Sequence, residues 1–267
     1  MRMTNENLTV QDTWVEGNEG RLFVRVWSPE AATSRSPIIL FHDSLGSVEL
    51  WRGFPAALVD ATARQVVAYD RLGFGKSDEH TGKLGLDFIG NEAERGFAAI
   101  KQQMGIKRFI LFGHSVGGGM AINCAARFSD ACIALIAESA QAFVEDRTVQ
   151  GIEEAKELFK DENQVNRLRK YHGEKARWVL DAWIGSWLHP GFSTWSLTSV
   201  LPNVKCPVLV IHGVDDEYGS AKHPELITEL TGGRSHLEIM ADTRHVPHRE
   251  KESAVIQILA NFVAPLA

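Results

Sequence analysis

The sequence predicts an α/β protein: a mostly parallel sheet with helices packed on both of its faces. Three observations carry that expectation. Short β-branched and apolar runs at residues 22–27, 38–41, 66–69, 109–112, 133–137, 208–211 and 237–240 alternate with longer segments, and strands that read as apolar on both sides belong to a sheet covered on both sides. The intervening segments 50–63, 89–103, 117–128 and 252–263 carry apolar residues three and four positions apart, the period of a helix that buries one side. The third observation is the pentapeptide Gly113-His114-Ser115-Val116-Gly117, delivered by the apolar run 109–112 and followed by the helix-compatible residues 120–126. Glycines two before and two after the serine let the backbone turn sharply from strand to helix and push the hydroxyl outward.

A chain of 267 residues that is 44% hydrophobic can bury one sizeable core, so a single α/β domain with an insertion fits its length. A net charge of −6 gives no basic footprint for a nucleic-acid partner. Polar Thr4, Asn5, Glu6 and Asn7 stand where a signal peptide needs an apolar stretch, and no run spans a bilayer; the expectation is a soluble, cytoplasmic protein with no membrane partner. Cys124, Cys132 and Cys206 are odd in number and widely spaced, which reads as core thiols rather than a disulfide framework or metal site. The ten histidines show no metal-ligand spacing, and neither a metal nor an organic cofactor is expected.

One stretch breaks the alternation. Residues 141–196 hold no convincing strand; the first part carries eight acidic and eight basic residues between Phe143 and Trp178, the pattern of solvated helical faces. It then turns aromatic, with Trp178, Trp183, Trp187, Phe192 and Trp195. Trp183 and Trp187 lie one helical turn apart and share a face, which either fastens the segment to the core or covers an apolar ligand. No internal repeat or linker marks a second independent domain.

A serine hydroxyl is a poor nucleophile at neutral pH, so it needs a histidine to take its proton and an acid to orient that histidine. Both occur downstream. After the apolar run 208–211 come Asp215, Asp216 and Glu217, on the loop that leaves a strand's C-terminal end, where ligands meet an open α/β sheet. His245 and His248 follow the last strand-like run. Serine, acid and histidine therefore stand in the order expected of a strand-turn-helix nucleophile.

With the turn Asp70-Arg71-Leu72-Gly73-Phe74-Gly75-Lys76-Ser77 after the strand-like run 66–69, the chain resembles the α/β-hydrolase superfamily nearly end to end. The resemblance implies an eight-stranded, mostly parallel sheet, a core of residues 1–140 and 197–267, and a helical cap over 141–196. It implies Ser115 as nucleophile, Asp216 as the acid with Asp215 as runner-up, and His245 as the base with His248 as alternative and Glu250 as the glutamate that follows it. Oxyanion donors would be the amides of Val116, at a helix N-terminus, and Ser44, with Leu45 as fallback. Asp43 replaces a family glycine, and Arg244 stands where a glycine precedes the histidine, which predicts a bulky cation beside the site. Asp43, Leu45, His114, Trp183, Trp187 and Val246 form the expected substrate pocket.

The resemblance implies a serine hydrolase that forms an acyl-enzyme on a small-molecule substrate, with small apolar carboxylic esters the simplest class. Thioesters, lactones and perhydrolysis would use the same residues. Relatives that hydrolyse carbon–carbon bonds of ring-cleavage products place a tryptophan after the histidine, where this chain has Val246. A slow or non-catalytic ligand receptor is the rival of another class. Oligomeric state is not legible.

Overall fold

The computed structural model describes residues 8–31 and 33–266; the reading of residues 1–7 as lacking a signal peptide lies outside the described residues. Eight strands form one sheet: β1 (Leu8–Glu16), β2 (Arg21–Pro29), β3 (Ile38–Phe41), β4 (Val66–Tyr69), β5 (Phe109–His114), β6 (Cys132–Glu138), β7 (Val208–Gly213) and β8 (Ser235–Met240). Their spatial order is β1-β2-β4-β3-β5-β6-β7-β8. The pairs β1/β2 and β2/β4 are antiparallel and all others parallel. From β3 the chain crosses to one side to make β4 and then returns to the other to make β5, so the direction of winding reverses between β3 and β5. Crevices in open α/β sheets form at such a reversal, beyond the strands' C-terminal ends.

The helices are α1 (Phe54–Thr62), α2 (Phe88–Asn91), α3 (Gly96–Gln103), α4 (Val116–Arg127), α5 (Asp146–Leu158), α6 (Glu162–His172), α7 (Ala176–Trp187), α8 (Lys222–Leu230), α9 (Pro247–Glu250) and α10 (Glu252–Val263). Strand side chains alternate between two apolar layers. Ile39, Phe41, Leu111, Leu135 and Val210 pack with Phe97 of α3 and Met120 of α4; Ile38, Leu40, Ile110, Phe112 and Leu209 pack with Leu58 of α1 and Leu259 of α10. Burial on both faces explains why the central strands read as unbroken apolar runs. Among the described residues no helix is long and apolar enough to cross a membrane.

Three expectations change. β1 is absent from the apolar runs because it is an edge strand, mostly exposed along its length, so its sequence is polar while its register against β2 is complete from Leu8–Pro29 to Glu16–Arg21. The helix expected over 89–103 is two helices. Glu92 turns inward to accept the Tyr69 hydroxyl at 2.6 Å, and Gly96 sits so close to it that a Cβ would lie 2.1 Å from its Oε1; a straight helix would carry that carboxylate out. The helix expected over 50–63 starts at Phe54, behind a 3₁₀ turn, Val48–Trp51. As for the cysteines, Cys132 and Cys206, far apart in sequence, meet in the core with their Sγ atoms 3.6 Å apart.

Between β6 and β7 the chain leaves the sheet for α5, α6 and α7, and an antiparallel bridge between Phe143 and Ser196 closes the base of this excursion. Val165, Leu168, Ala176 and Leu180 give it a small core of its own, against which Leu45 packs.

The turn after β4 is held by Asp70, whose carboxylate accepts the amides of Val48 and Lys76, each at 2.7 Å. That arrangement needs Gly75, with φ +46° and a would-be Cβ 2.0 Å from Asp70 Oδ2. Gly75→Ala combines a left-handed backbone with a clash against a buried acceptor, and is expected to lower the unfolding free energy by roughly 2–4 kcal/mol in urea denaturation.

Candidate active site

Ser115 sits between β5 and α4 with φ 56° and ψ −127°, a backbone conformation costly for a residue with a Cβ. Two contacts hold it there. Its amide donates to Glu138 O at 2.9 Å, and Gly117 lies against β3, where a Cβ would be 2.2 Å from Phe41 O. The hydroxyl donates to His245 Nε2 at 2.9 Å, and His245 Nδ1–H faces both oxygens of Asp216 at 2.9 Å. Asp216 also accepts the amides of Tyr218 and Gly219 at 2.8 and 3.0 Å. Burial alone would raise its pKa, but His245 and these amides leave it below the ordinary carboxylate value. Asp215 is exposed. His248 points away from Ser115 into the core, donating from Nδ1 to buried Glu138 at 2.5 Å. The structure therefore brings together Ser115, His245 and Asp216, and neither of the alternatives.

The loop carrying His245 is fixed by Glu250, which accepts the amides of Arg244 at 2.9 Å and Val246 at 3.1 Å. Arg244 itself is exposed and does not line the cavity over Ser115. The expectation of a cation from that position is corrected: residue 244 precedes the turn, so its side chain leaves on the solvent side while its amide faces Glu250. The cations that do line the cavity are Arg167 and Arg249.

The β3 loop carries the other half of the site. Leu45's amide is taken by Asp43 Oδ1 at 2.8 Å, whereas those of Ser44 and Val116 donate to no group among the described residues. Ser44 and Val116 also border one small void. The loop is anchored from three sides: His42 Nδ1–H donates to Asp43 O at 2.8 Å, Arg71 Nη2 donates to the same carbonyl at 2.9 Å, and His172 of α6 donates from Nε2 to Leu45 O at 3.0 Å.

Asp43 Oδ2 lies 3.4 Å from His114 Nδ1, and His114 Nε2–H donates to His245 O at 2.8 Å. Burial pulls the His114 pKa down, yet Asp43 and Glu138 outweigh it and leave it above the ordinary histidine value. Burial likewise pushes Asp43 up, and His114 with Arg249 brings it well below the usual carboxylate range. The two groups form an imidazolium–carboxylate pair that ties the β3 loop, the serine turn and the His245 loop together.

Asp43, Leu45, His114, Trp183, Trp187 and Val246 all line a cavity of about 310 Å³ that reaches Ser115 and His245. Its walls are mainly apolar. The other aromatics of the excursion serve elsewhere: Trp178 stacks on His80 with ring centroids 5.0 Å apart, and Trp195 stacks on Phe192 at 5.4 Å. Sequence reasoning missed Gln141, Tyr218, Arg167 and Arg249 in the lining. Gln141 just past the end of β6 and Arg249 one helical turn after His245 carried a positional signal; Arg167 carried none. A larger cavity, about 430 Å³, lies beyond Arg71 and Phe74 and contains none of Ser115, His245 and Asp216.

No metal-ligand spacing was legible among the histidines, yet among the described residues His114, Glu138 and His248 bring ligand-type atoms within 4.8 Å of one another. Both His114 nitrogens and His248 Nδ1 are engaged with Asp43, His245 O and Glu138 Oε2, which makes the group a buried hydrogen-bond network, with Glu138 Oε1 left unpartnered among the described residues.

A family described as the alpha/beta hydrolase fold matches residues 36–164, from just before β3 into α6. The chain is 26% identical over 236 residues to a bifunctional esterase/perhydrolase of Acinetobacter calcoaceticus, covering 73% of this chain and 79% of that protein. It is 26% identical over 218 residues to the serine hydrolase BPHL of Homo sapiens, covering 79% of this chain and 73% of that one. The solved structure of 2-hydroxy-6-oxo-6-phenylhexa-2,4-dienoate hydrolase from a Rhodococcus species superposes with a TM-score of 0.78 at 15% identity, over 96% of this chain and 99% of that chain. With its eight-stranded sheet, its strand-turn-helix serine and these similarities, the chain has the α/β-hydrolase fold.

Proposed function

We propose that the protein is a serine hydrolase of carboxylic esters that works through Ser115, His245 and Asp216. The observation that carries this reading is the unbroken hydrogen-bonded line from Ser115 Oγ through His245 to Asp216, both links at 2.9 Å. His245 takes the hydroxyl proton as Ser115 Oγ attacks the ester carbonyl carbon; Asp216 holds the imidazole in the tautomer that can accept it. The negative charge that develops on the carbonyl oxygen rests on the amides of Val116 and Ser44, neither of which has another partner among the described residues. His245 then hands its proton to the departing alcohol, and water, activated by the same imidazole, releases the acid from Ser115.

The helices α5–α7 act as a lid over this chemistry, with Trp183 and Trp187 forming its apolar underside. A cavity of about 310 Å³ suits a small or medium ester, and apolar walls favour an apolar body. Ester hydrolysis is also the activity in the printed name of the Acinetobacter relative. The formed Ser–His–Asp line favours an enzyme over a receptor. Val246, in place of a tryptophan, favours esters over carbon–carbon bond cleavage.

Ser115→Ala is expected to lower kcat on p-nitrophenyl esters by about 10⁴- to 10⁶-fold and to abolish labelling by a fluorophosphonate probe; full turnover in this variant would refute the nucleophile. Asp216→Asn is expected to keep the fold while kcat drops about 10⁴-fold, because the amide stabilises the wrong histidine tautomer.

The Asp43–His114 pair gives a pH dependence of stability. His114, raised in the folded state, contributes fully below its unfolded value of about 6.5 and less as pH rises through its folded value; Asp43, depressed, contributes above about 3.9 and less as pH falls through its folded value. The pair is strongest between about pH 4 and 6.5. Asp43→Asn is expected to lower the thermal midpoint more at about pH 6 than at about pH 9, read by calorimetry at both.

A further inference from the structure

Two guanidiniums line the cavity over Ser115 without an acidic partner. Arg167, on α6, gives one hydrogen bond to Gln164 Oε1 at 3.0 Å. Arg249, on α9, gives one to Leu50 O at 2.9 Å. Each guanidinium has five N–H donors in a planar fork, so most remain free. Exposed arginines are usually paired or simply solvated, and the neighbours of Arg167 show the paired case: Arg169 and Arg177 both bind Glu162. Among the described residues no carboxylate lies within ion-pair distance of Arg167 or Arg249.

The remaining charge of the cavity does not cancel them. Asp43 is matched by His114 at 3.4 Å, although Arg249 is near enough to help hold its carboxylate ionised. Asp216 is committed to His245 and to two backbone amides. Glu217 accepts the His245 amide at 3.3 Å and does not line the cavity. The cavity lining, which does not include Asp216, thus carries a surplus of about two positive charges, on a protein whose net charge is −6. The two arginines come from different parts of the chain, Arg167 from α6 and Arg249 from α9, and apolar Leu45, Leu50, Ile152, Leu168, Trp183 and Val246 line the same cavity as they and the serine do.

Resting on the serine-hydrolase reading, we infer that the substrate is an ester whose apolar body ends in a carboxylate, received by Arg167 and Arg249 while the ester carbonyl lies over Ser115. Planar forks match a carboxylate in two-point contact, and the apolar walls match the segment that joins it to the ester. Hydrolysis breaks the acyl C–O bond: the Ser115 proton goes to the departing alcohol by way of His245, water's hydroxyl then ends on the acyl carbon while its proton returns by way of His245 to Ser115 Oγ, and the far carboxylate is untouched.

The test compares mono-p-nitrophenyl esters of C4–C8 dicarboxylic acids with p-nitrophenyl alkanoates of the same length, and acetate esters of ω-hydroxy acids with the matching alkyl acetates. At low ionic strength at least one carboxylate-bearing series should exceed its neutral partner by about tenfold or more in kcat/KM, mainly through KM. That ratio should fall in about 0.5 M NaCl and approach unity in Arg167→Gln/Arg249→Gln, but persist in Lys170→Gln, a lid cation outside the cavity. Equal rates for charged and neutral esters, or a preference unmoved by the double substitution, would overturn the inference while leaving the hydrolase intact. Failure to turn over any ester would instead defeat the serine-hydrolase reading, and this inference with it.

Discussion

The close approach of α4 to the end of β3 governs the architecture of the site. A side chain at Gly117 would strike the Phe41 carbonyl, so only a bare backbone lets the helix start directly behind the sheet, and that start forces Ser115 into its strained turn. The same approach sets the Val116 amide beside the β3 loop that supplies Ser44. The proposed nucleophile and oxyanion donors are thus one consequence of how two neighbouring strands end, and they fall at the place where the winding of the sheet reverses. Strain at Ser115 persists because packing on every side leaves it no relaxed alternative.

Buried histidines then build the scaffold around that turn. His42 donates to Asp43 O and accepts from the Arg71 amide; His172 donates to Leu45 O and accepts from the Gly75 amide; His248 joins α9 to Glu138 on β6. A neutral imidazole offers one donor and one acceptor at fixed separation, which lets each of the first two bridge backbone segments that no ladder connects. Burial holds the pKa of His42, His172 and His248 below the ordinary value, whereas His114, facing Asp43, is raised. One imidazolium among several neutral rings thus sits against Asp43 in the β3 loop. His172 also links α6, the turn after β4 and the β3 loop through one side chain.

Much of this was legible in the chain. The central strands announce themselves because burial on both faces leaves no room for polar residues, and the Ser115 turn because its glycines are sterically required. Strand β1 was invisible for the converse reason: at the edge of the sheet its side chains face water, and only backbone pairing defines it. The break between α2 and α3 was hidden because Glu92 looks like a surface residue until Tyr69 appears opposite it. Arg244 looked close to the site by sequence number, but the turn at Val246 sends it outward and brings Arg249 in.

The sequence by itself determined the α/β class, the strand-turn-helix serine, and the order in which acid and histidine follow it, because these depend on local periodicity and on residue types that particular backbone shapes demand. Only the tertiary structure decided that His114 pairs with Asp43, that Arg244 faces solvent, that Trp178 stacks on His80, and that Arg167 and Arg249 line the cavity without a carboxylate partner among the described residues. Those outcomes rest on contacts between segments tens to more than a hundred residues apart, and strand order and side-chain direction, which local periodicity does not encode, determine which of them form.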